Sequence, residues 1–475
     1  MPGQITISLW AFLIIAAVAA VAVLDRVLIP SSRWFLRRRI NRVLEEIGTR
    51  LDIEIRPFQL TKRQVLVDRL AYDPKVIAAV RDYAAAHDMP LEVVQDKAMA
   101  YAREIVPSFN AYLYFRIGYW IAKKVARMLY RVRVGLMEDA RYRGIDREST
   151  VVFVMNHRSN MDYILVAFLA AERTTLSYAV GEWAKIWPLH MLFRFMGAFF
   201  VRRNSGNALY RRVLERYIHM ATKEGVCQAV FLEGGLSRDG RLRAPKLGLM
   251  DYMLRGFDPE RDRDIVFIPV GINYDRTIED RSLLRSLDPA ADRRSLWFVF
   301  RTTTGFILRN VFLMALSRWR HYGYACVNFG TPVSAKDYCR EQAVIFSWMR
   351  REERFPEIEK LCRRLMAGIA DVVPVLPVSV VAAVMLDAGG AALDIMEIEA
   401  RCNQLIERLQ QRGAPVLESP RSTRAAAIAG AVDLLALRGI IGSDDDRFAA
   451  APSETQILHY YANAIAHWRE TPESP

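Results

Sequence analysis

The chain has 475 residues, which is long enough for about two to four domains and a sizeable hydrophobic core. Its net charge of +13 at pH 7 predicts an anionic partner, such as nucleic acid, a phospholipid surface or a phosphorylated metabolite. The five cysteines show neither a C-x-x-C pair nor metal-ligand spacing, which argues against a cysteine metal site and fits reduced thiols in the cytosol.

The first predicted element is a transmembrane helix over residues 5–24, which include no charged residue. About 20 residues at 1.5 Å each span the roughly 30 Å hydrocarbon layer of a bilayer. A cleavable signal peptide would begin with basic residues, but residues 1–4 carry no charged side chain. Six arginines follow within residues 26–42, so the positive-inside rule predicts a cytoplasmic body. We therefore expect a single-pass protein of the inner (cytoplasmic) membrane; a buried core helix or an atypical signal sequence is the alternative.

Residues 25–56 form a basic juxtamembrane segment, which favours anionic lipid headgroups over nucleic acid as the partner. Residues 57–132 are predicted to be helical, with breaks at Asp73-Pro74 and Met89-Pro90. The end of this region, residues 109–133, mixes aromatic and basic residues. That mixture suits a helix on a membrane surface, or equally a helix packed on the next domain with a solvated basic face.

Strands and helices alternate from about residue 133 to 335, which predicts an α/β domain built around a largely parallel sheet. The predicted strands are 151–155, 176–180, 198–201, 227–232, 265–270 and 325–329. A helix is predicted over 207–223, where apolar residues recur at helical spacing. Helical flanking regions complete the predicted domains, which are 1–56, 57–132, 133–370 and 371–475.

Residues 156–163 contain the pair of side chains with the clearest chemical meaning. His157 and Asp162 directly follow the predicted strand 151–155, and a helix is predicted over 163–171. His157 would then lie at the carboxyl end of a strand, where open α/β sheets place their chemistry. The intervening residues allow the Asp162 carboxylate to hydrogen-bond one imidazole nitrogen, which leaves the other free as a general base. Because this spacing also occurs by chance, the pair alone does not establish catalysis.

Three further clusters lie at the ends of predicted strands. Arg202 and Arg203 follow one predicted strand, and each guanidinium group can donate two hydrogen bonds to a phosphate. Such arginines are, however, often simply exposed to solvent. Residues 231–246 are rich in glycine and contain Ser, Arg and Lys side chains that could donate hydrogen bonds to an oxyanion. The alternative is an ordinary surface turn. Residues 267–274, taken by themselves, indicate a strand in the hydrophobic core. The glycine-rich segment matches neither a serine-hydrolase elbow nor a P-loop.

In this order the four clusters resemble the glycerol-phosphate acyltransferase family, in particular its bacterial membrane glycerol-3-phosphate acyltransferase branch. The matching blocks are N-H-R-S-N-M-D-Y at 156–163, G-A-F-F-V-R-R at 197–203, F-L-E-G-G-L-S-R-D-G-R at 231–241 and I-P-V at 268–270. Weaker matches at 327–332 and 460–463 extend the resemblance over roughly residues 100 to 470.

The resemblance implies transfer of a fatty acyl group from acyl-CoA or acyl-carrier protein to the sn-1 hydroxyl of glycerol 3-phosphate, giving lysophosphatidate. It implies that His157 is the catalytic histidine and Asp162 its partner. The positions that match acceptor-binding residues are Arg202, Glu233, Gly234 and Ser237. We add Arg203, Arg238 and Lys246 because of their charge. Pro269 lies in the block associated with the acyl donor.

The residue chemistry agrees with this implied reaction. His157 would take the proton of the attacking hydroxyl, and the backbone N–H groups of Gly234 and Gly235 are candidate oxyanion donors. No metal or redox cofactor is predicted. Leu236 departs from the family pattern, because many members of the branch carry a basic residue there, and this departure bears on the choice of acceptor.

Two other hypotheses compete with this one. The same chemistry could act on lysophosphatidate or dihydroxyacetone phosphate, although the E-G-G-x-S-R-x-G-R form of the loop favours glycerol 3-phosphate. A basic membrane-surface scaffold without catalysis is the alternative from a different class, against which the intact His157 and Asp162 argue. Nucleic-acid binding is not predicted, because no recognised nucleic-acid module is present.

Overall fold

The computed structural model describes residues 56–109, 118–135, 142, 144–170, 177–180, 197–202, 205–287, 322–418 and 423–470. The predicted membrane span at residues 5–24 and the candidate site residue Arg203 lie outside these ranges. Among the helices within them, none combines the length and the apolar character needed to cross a bilayer.

The first described region is helical, and its breaks lie at the two predicted prolines. Its helices are α1 (Pro57–Leu60), α2 (Arg63–Ala71), α3 (Pro74–Ala86), α4 (Leu91–Ile105) and α5 (Tyr119–Leu129). Pro74 occupies the first turn of α3, where its missing N–H is not needed, and the Asp73 carboxylate caps the helix by accepting from the Lys75 backbone N–H at 2.9 Å. The helix predicted near 109–133 ends earlier than expected, at Leu129, because a strand begins at Arg131.

A mostly parallel sheet forms the centre of the described chain, as predicted. Its strands are β1 (Arg131–Val134), β2 (Thr150–Met155), β3 (Ser177–Val180), β4 (Phe199–Phe200), β5 (Gln228–Phe231), β6 (Ile265–Tyr274), β7 (Tyr324–Phe329) and β8 (Val333–Ser334). They are ordered β1-β7-β6-β2-β5-β3-β4, and β8 also pairs with β6. The pairs of β6 with β7 and β8 are antiparallel, and the other strand pairs are parallel.

Strand β6 is longer than the predicted strand 265–270, and this difference shapes the site. It is buried along its whole length and pairs with β2 on one side. On the other side its partner changes from β8, opposite Phe267, to β7, opposite Val270. Pro269 lies at this change of partner, where a residue without an N–H donor is tolerated. The strand therefore continues through the proline to Tyr274, past Val270, which lies opposite the last residue of β2.

Helices cover the sheet and continue into the C-terminal region. They are α6 (Met161–Ala170), α7 (Ala208–Lys223), α8 (Gly248–Leu254), α9 (Asp280–Arg285), α10 (Ala335–Gln342), α11 (Arg351–Ala370), α12 (Pro377–Asp387), α13 (Ile395–Gln411), α14 (Arg424–Leu437), α15 (Thr455–Ala462) and α16 (Ala466–Arg469). The prediction of a helical C-terminal region missed a small antiparallel sheet of β9 (Leu393–Asp394), β10 (Ile441–Asp444) and β11 (Arg447–Ala450). These strands are short and their exposed residues lack the apolar alternation that marks a strand.

Buried polar side chains join the C-terminal region to the sheet. Asn273 in β6 and Asn328 in β7 donate to the carbonyl oxygens of Pro374 and Val372 at 2.9 and 3.0 Å. The Asp275 carboxylate accepts from the Tyr324 backbone N–H at 2.8 Å and from a backbone N–H at the start of α12. Burial raises the pKa of Asp275 to about 6. These bonds hold the first residues after α11 along the end of the sheet that also contains His157.

Candidate active site

His157 lies directly after β2, in a loop that side chains tie to the neighbouring strand. The Asn156 side-chain amide donates to the Ile272 carbonyl at 2.9 Å and accepts from the Ile272 N–H at 2.8 Å. One side chain thus continues the pairing of β2 with β6 beyond the last strand residue. His157 therefore leaves the sheet at its carboxyl end, as the sequence predicted, and its side chain is buried.

The carboxylate of Asp162, in the first turn of α6, accepts four hydrogen bonds. Its Oδ2 atom lies 2.9 Å from His157 Nδ1 and also accepts the backbone N–H groups of Arg158 and Ser159, at 2.7 and 3.1 Å. Its Oδ1 atom accepts the hydroxyl of Tyr274 at 2.6 Å. A carboxylate can only accept, so the imidazole proton lies on Nδ1. Nε2 makes no hydrogen bond within the described part of the chain, which leaves it able to take a proton.

A second carboxylate holds the start of α6. Glu279 accepts the Ser159 hydroxyl at 2.7 Å and the Asn160 backbone N–H at 3.2 Å, and the Ser159 hydroxyl in turn accepts the Met161 N–H at 3.1 Å. Burial raises the pKa of Glu279. The residues between His157 and Asp162 are thus fixed by contacts from outside the loop.

Aromatic rings enclose the imidazole. The Phe231 ring stacks on it with centroids 3.8 Å apart, and the Tyr163 ring meets it edge-on at 5.4 Å. These contacts fix the plane of the ring and exclude water from the pair, which strengthens its electrostatic interactions.

The glycine-rich loop (residues 232–246) holds the backbone of His157 from both sides. Glu233 Oε1 accepts the His157 N–H at 3.1 Å, and the Ser237 N–H donates to the His157 carbonyl at 2.8 Å. The other carboxyl oxygen of Glu233 is buried and has no partner within the described residues. Burial raises the pKa of Glu233 to about 8, against the lowering effect of the His157 N–H. The Ser237 hydroxyl donates to the Arg241 carbonyl at 2.8 Å and so stabilises the loop itself.

The two glycines of the loop differ in the availability of their N–H groups. Gly234 has a φ of +69° and its N–H donates to the Phe231 carbonyl at 3.0 Å. The expectation that Gly234 supplies an oxyanion donor is therefore not supported in this conformation. The Gly235 N–H makes no hydrogen bond among the described residues and remains a candidate.

Three cationic side chains lie on the exposed side of the glycine-rich loop. Lys246 is exposed and its side chain lies over Gly234, where an added Cβ would be 2.7 Å from Lys246 Cγ. Arg238 is exposed and contacts the Ser286 carbonyl at 3.4 Å. Arg243, which the sequence did not single out, contacts the Leu236 carbonyl at 3.4 Å. Leu236 itself packs against the C-terminal hydrophobic core, which accounts for an apolar residue at this position.

Arg202 and Pro269 do not contact His157. Arg202 follows β4, which β5 and β3 separate from β2, and its guanidinium binds both carboxylate oxygens of Glu104 in α4. Pro269 lies opposite Val154 within the sheet, and an added Cβ on Gly368 of α11 would be 3.0 Å from its ring. The roles expected for both residues stay predictions.

The C-terminal region contacts the His157 loop. In the sequence, the weak family match at residues 460–463 was the sole indication of these contacts. The Tyr460 ring lies 4.8 Å from the guanidinium of buried Arg158, and its hydroxyl donates to the Arg158 carbonyl at 3.3 Å. The Asn463 amide donates to the Asp239 carbonyl at 2.9 Å. Arg158 also donates to the Gly240 carbonyl. Only the order of the strands and helices in space brings these residues together.

Comparisons with known proteins cover the part of the chain that contains this site. Residues 132–273 match the family model described as Acyltransferase, and residues 310–469 match the one described as Glycerol-3-phosphate acyltransferase C-terminal region. The glycerol-3-phosphate acyltransferase of Shewanella pealeana is 28% identical over 426 residues, or 86% of this chain and 50% of that protein. The chain therefore contains an acyltransferase domain followed by a region similar to the C-terminal part of glycerol-3-phosphate acyltransferases.

Other comparisons define the extent of this relationship. The glycerol-3-phosphate acyltransferase of Ectopseudomonas mendocina is 30% identical over 349 residues, which are 70% of this chain and 40% of that protein. The chain thus spans about half the length, or less, of these curated members of the acyltransferase family. The solved 1-acyl-sn-glycerophosphate (LPA) acyltransferase of Thermotoga maritima matches with a TM-score of 0.30 and 17% identity, over 53% of this chain and 78% of that one.

Proposed function

We propose that the protein transfers a fatty acyl group from acyl-CoA or acyl-carrier protein to the sn-1 hydroxyl of glycerol 3-phosphate, giving lysophosphatidate for phospholipid synthesis. The observation that carries the proposal is the 2.9 Å contact between His157 Nδ1 and Asp162, which leaves Nε2 without a partner among the described residues. Similarity to proteins named glycerol-3-phosphate acyltransferase supports the choice of acceptor.

The proposed reaction needs one base and no covalent enzyme intermediate. The sn-1 hydroxyl attacks the thioester carbonyl while His157 Nε2 takes its proton. The tetrahedral intermediate then expels the thiolate, to which the imidazolium returns the proton, so that an ester and a free thiol are formed. A positioned base typically contributes about 10²–10⁴-fold in rate. Asp162 holds the Nδ1–H tautomer and stabilises the imidazolium. This chemistry needs no metal or redox cofactor.

The glycine-rich loop supports a site for the acceptor next to His157. Glu233 is mostly protonated near neutral pH, because burial raises its pKa to about 8, and its second oxygen has no partner. It can therefore donate to an oxygen of the acceptor. Lys246 and Arg238 lie on the exposed side of the loop and suit the phosphate, with Arg202, Arg203, Gly234 and Ser237 as further proposed contacts. We also propose that Pro269 lies in the part of the site that binds the acyl donor.

The membrane is a proposed partner because acyl chains and lysophosphatidate partition into lipid. We propose that residues 5–24 anchor the protein in the inner (cytoplasmic) membrane as a single span, with the catalytic domain in the cytoplasm. The domain limits 1–56, 57–132, 133–370 and 371–475 likewise stay predictions.

Membranes that contain the protein should be assayed with long-chain acyl-CoA and with acyl-carrier protein as donors. Glycerol 3-phosphate, dihydroxyacetone phosphate and lysophosphatidate are offered separately as acceptors. We expect lysophosphatidate from glycerol 3-phosphate alone, and at least a 10²-fold loss in His157→Ala without loss of membrane insertion. Turnover retained in His157→Ala would refute the base, and activity on another acceptor would keep the chemistry but change the substrate.

A further inference from the structure

Tyr274 contacts the carboxylate partner of the proposed base. Its hydroxyl donates to Asp162 Oδ1 at 2.6 Å, a distance typical of a charge-assisted O–H···O⁻ bond. The imidazole and two backbone N–H groups bind the other oxygen, Oδ2. Tyr274 is therefore the donor that fixes Oδ1 among the described residues.

The phenol ring is held in place on several sides. Tyr274 is buried at the end of β6, where it lies opposite Ala325 of β7. Its ring lies 5.2 Å from that of Tyr130, and its backbone N–H donates to the Asn273 side-chain oxygen at 2.9 Å. Burial holds the pKa of Tyr274 well above its ordinary value, with the Asp162 charge acting in the same direction. The hydroxyl therefore keeps its proton across the pH range in which an enzyme operates.

Such a donor affects how strongly Asp162 stabilises a charged imidazole. A hydrogen bond to Oδ1 draws negative charge away from Oδ2, the atom that faces Nδ1. Without this bond more charge lies on Oδ2, and the imidazolium that forms during the reaction is stabilised more strongly. The base would then remain protonated at higher pH, and less of the enzyme would be ready to accept the proton of the acceptor.

We propose that Tyr274 is a positioning residue that orients Asp162 and sets the proton affinity of His157 through it. This inference rests on the proposed function, because it concerns the base of that reaction. It adds a third member to the His157–Asp162 pair, supplied by the strand next to β2.

The test compares Tyr274→Phe with the wild type by the pH dependence of kcat/KM for glycerol 3-phosphate. We expect the acidic limb of the profile to move to higher pH by about half a unit to one unit, and kcat at neutral pH to fall about 3- to 10-fold. The KM for glycerol 3-phosphate should change less than about twofold, because Tyr274 lies behind Asp162 and away from the acceptor.

Tyr130→Phe is the matched control. It removes a buried tyrosine hydroxyl from the ring adjacent to Tyr274, but that hydroxyl donates to the Arg276 carbonyl at 2.8 Å instead of to Asp162. The acidic limb of the pH profile of kcat/KM for Tyr130→Phe should lie at the same pH as that of the wild type. The melting temperatures of both variants, measured by thermal unfolding, show whether they remain folded.

An unshifted acidic limb in an active, folded Tyr274→Phe would overturn the inference and leave the proposed function intact. Equal shifts in Tyr274→Phe and Tyr130→Phe would also overturn it, because they would indicate general loosening of the aromatic cluster. Failure of the wild type to acylate any acceptor would be a failure of the proposed function itself, and the inference would fall with it.

Discussion

The buried carboxyl of Glu233 illustrates how a single residue can combine structural and chemical roles. One of its oxygens holds the backbone of His157, and the other has no partner within the described chain. An ionised carboxylate in this position would be costly, and this cost raises the pKa of the group to about 8. Near neutral pH the group is therefore mainly a hydrogen-bond donor, which suits contact with a hydroxyl or a phosphate oxygen.

Glu233→Gln should become more stable relative to the wild type as pH rises. The folded pKa of about 8 lies above the ordinary value of 4.5, so the folded state binds more protons between these pH values. The wild type therefore loses stability from about pH 4.5 to about pH 8. The amide of glutamine does not ionise and avoids this loss. The melting temperature of Glu233→Gln minus that of the wild type should rise over this window and level off above it.

Glu260→Gln provides the comparison for this experiment, because Glu260 is exposed. Its melting temperature should differ from that of the wild type by the same amount at pH 5 and at pH 8. If the melting-temperature difference between Glu233→Gln and the wild type were also independent of pH, the result would contradict the burial of an uncharged carboxyl at Glu233.

At the scale of elements, the parts of the site that are close in sequence could be predicted and the distant parts could not. His157 and Asp162 are 5 positions apart, so one strand-loop-helix unit sets their geometry. Tyr274 and Tyr460 are 112 residues from Asp162 and 302 residues from Arg158. Their contacts depend on β6 lying next to β2 and on how the C-terminal helices pack, neither of which a local pattern reveals.

The same limit applies to the elements themselves. The helix breaks at Pro74 and Pro90 were predicted because proline acts locally. The prediction that β6 ends at Val270 was wrong, because the change of its pairing partner beside Pro269 carries the strand on to Tyr274. Strand β1 was missed because it is short, and its pairing with the distant β7 is what defines it.

Gly240→Ala should separate the glycine-rich loop from the C-terminal helices. Gly240 has a φ of +88°, and an added Cβ would lie 2.0 Å from the Tyr460 carbonyl oxygen, so either the loop or α15 must move. A strained φ alone costs about 1–3 kcal/mol. We expect a lower melting temperature and at least a tenfold loss of acyl transfer, measured on the same membrane preparations.

Gly248→Ala serves as the control for this substitution. Gly248 begins α8 shortly after the loop, and nothing lies within 4 Å of an added Cβ. Its activity and melting temperature should match those of the wild type. An active and equally stable Gly240→Ala would show that the contact with Tyr460 is dispensable.

At the scale of the whole molecule, the His157 loop is enclosed by parts of the chain that are far apart in sequence. The sheet supplies Tyr274, the segment that precedes α9 supplies Glu279, the glycine-rich loop supplies Glu233, and the C-terminal region supplies Tyr460. Behind them, buried Asp280 binds Arg438 at 2.6 Å and also the Tyr461 hydroxyl. Loss of Arg438 would leave the buried Asp280 carboxylate without a compensating charge, so the C-terminal region belongs to the same cooperative structure as the site.

Removal of residues 1–24 should release the protein from membranes without destroying the chemistry. The predicted anchor lies outside the described residues, and the contacts described around His157 come from residues beyond position 155. We expect the truncated protein in the salt-washed soluble fraction, with transfer from a water-soluble short-chain acyl-CoA retained within about threefold. Continued membrane attachment would refute residues 5–24 as the sole anchor and direct attention to the basic segment that follows.

The contact between Tyr460 and Arg158 also has a consequence for the order in which the protein is made. A ribosome adds about 5–20 residues per second, so Tyr460 is synthesised roughly 15 to 60 seconds after the Arg158 it contacts, 302 residues earlier. During that interval the nascent chain holds the histidine and the aspartate but lacks the tyrosine that closes over their loop. The site is therefore completed only after Tyr460 has been synthesised, and a chain interrupted before that point would not present a finished site to the acyl donors around it.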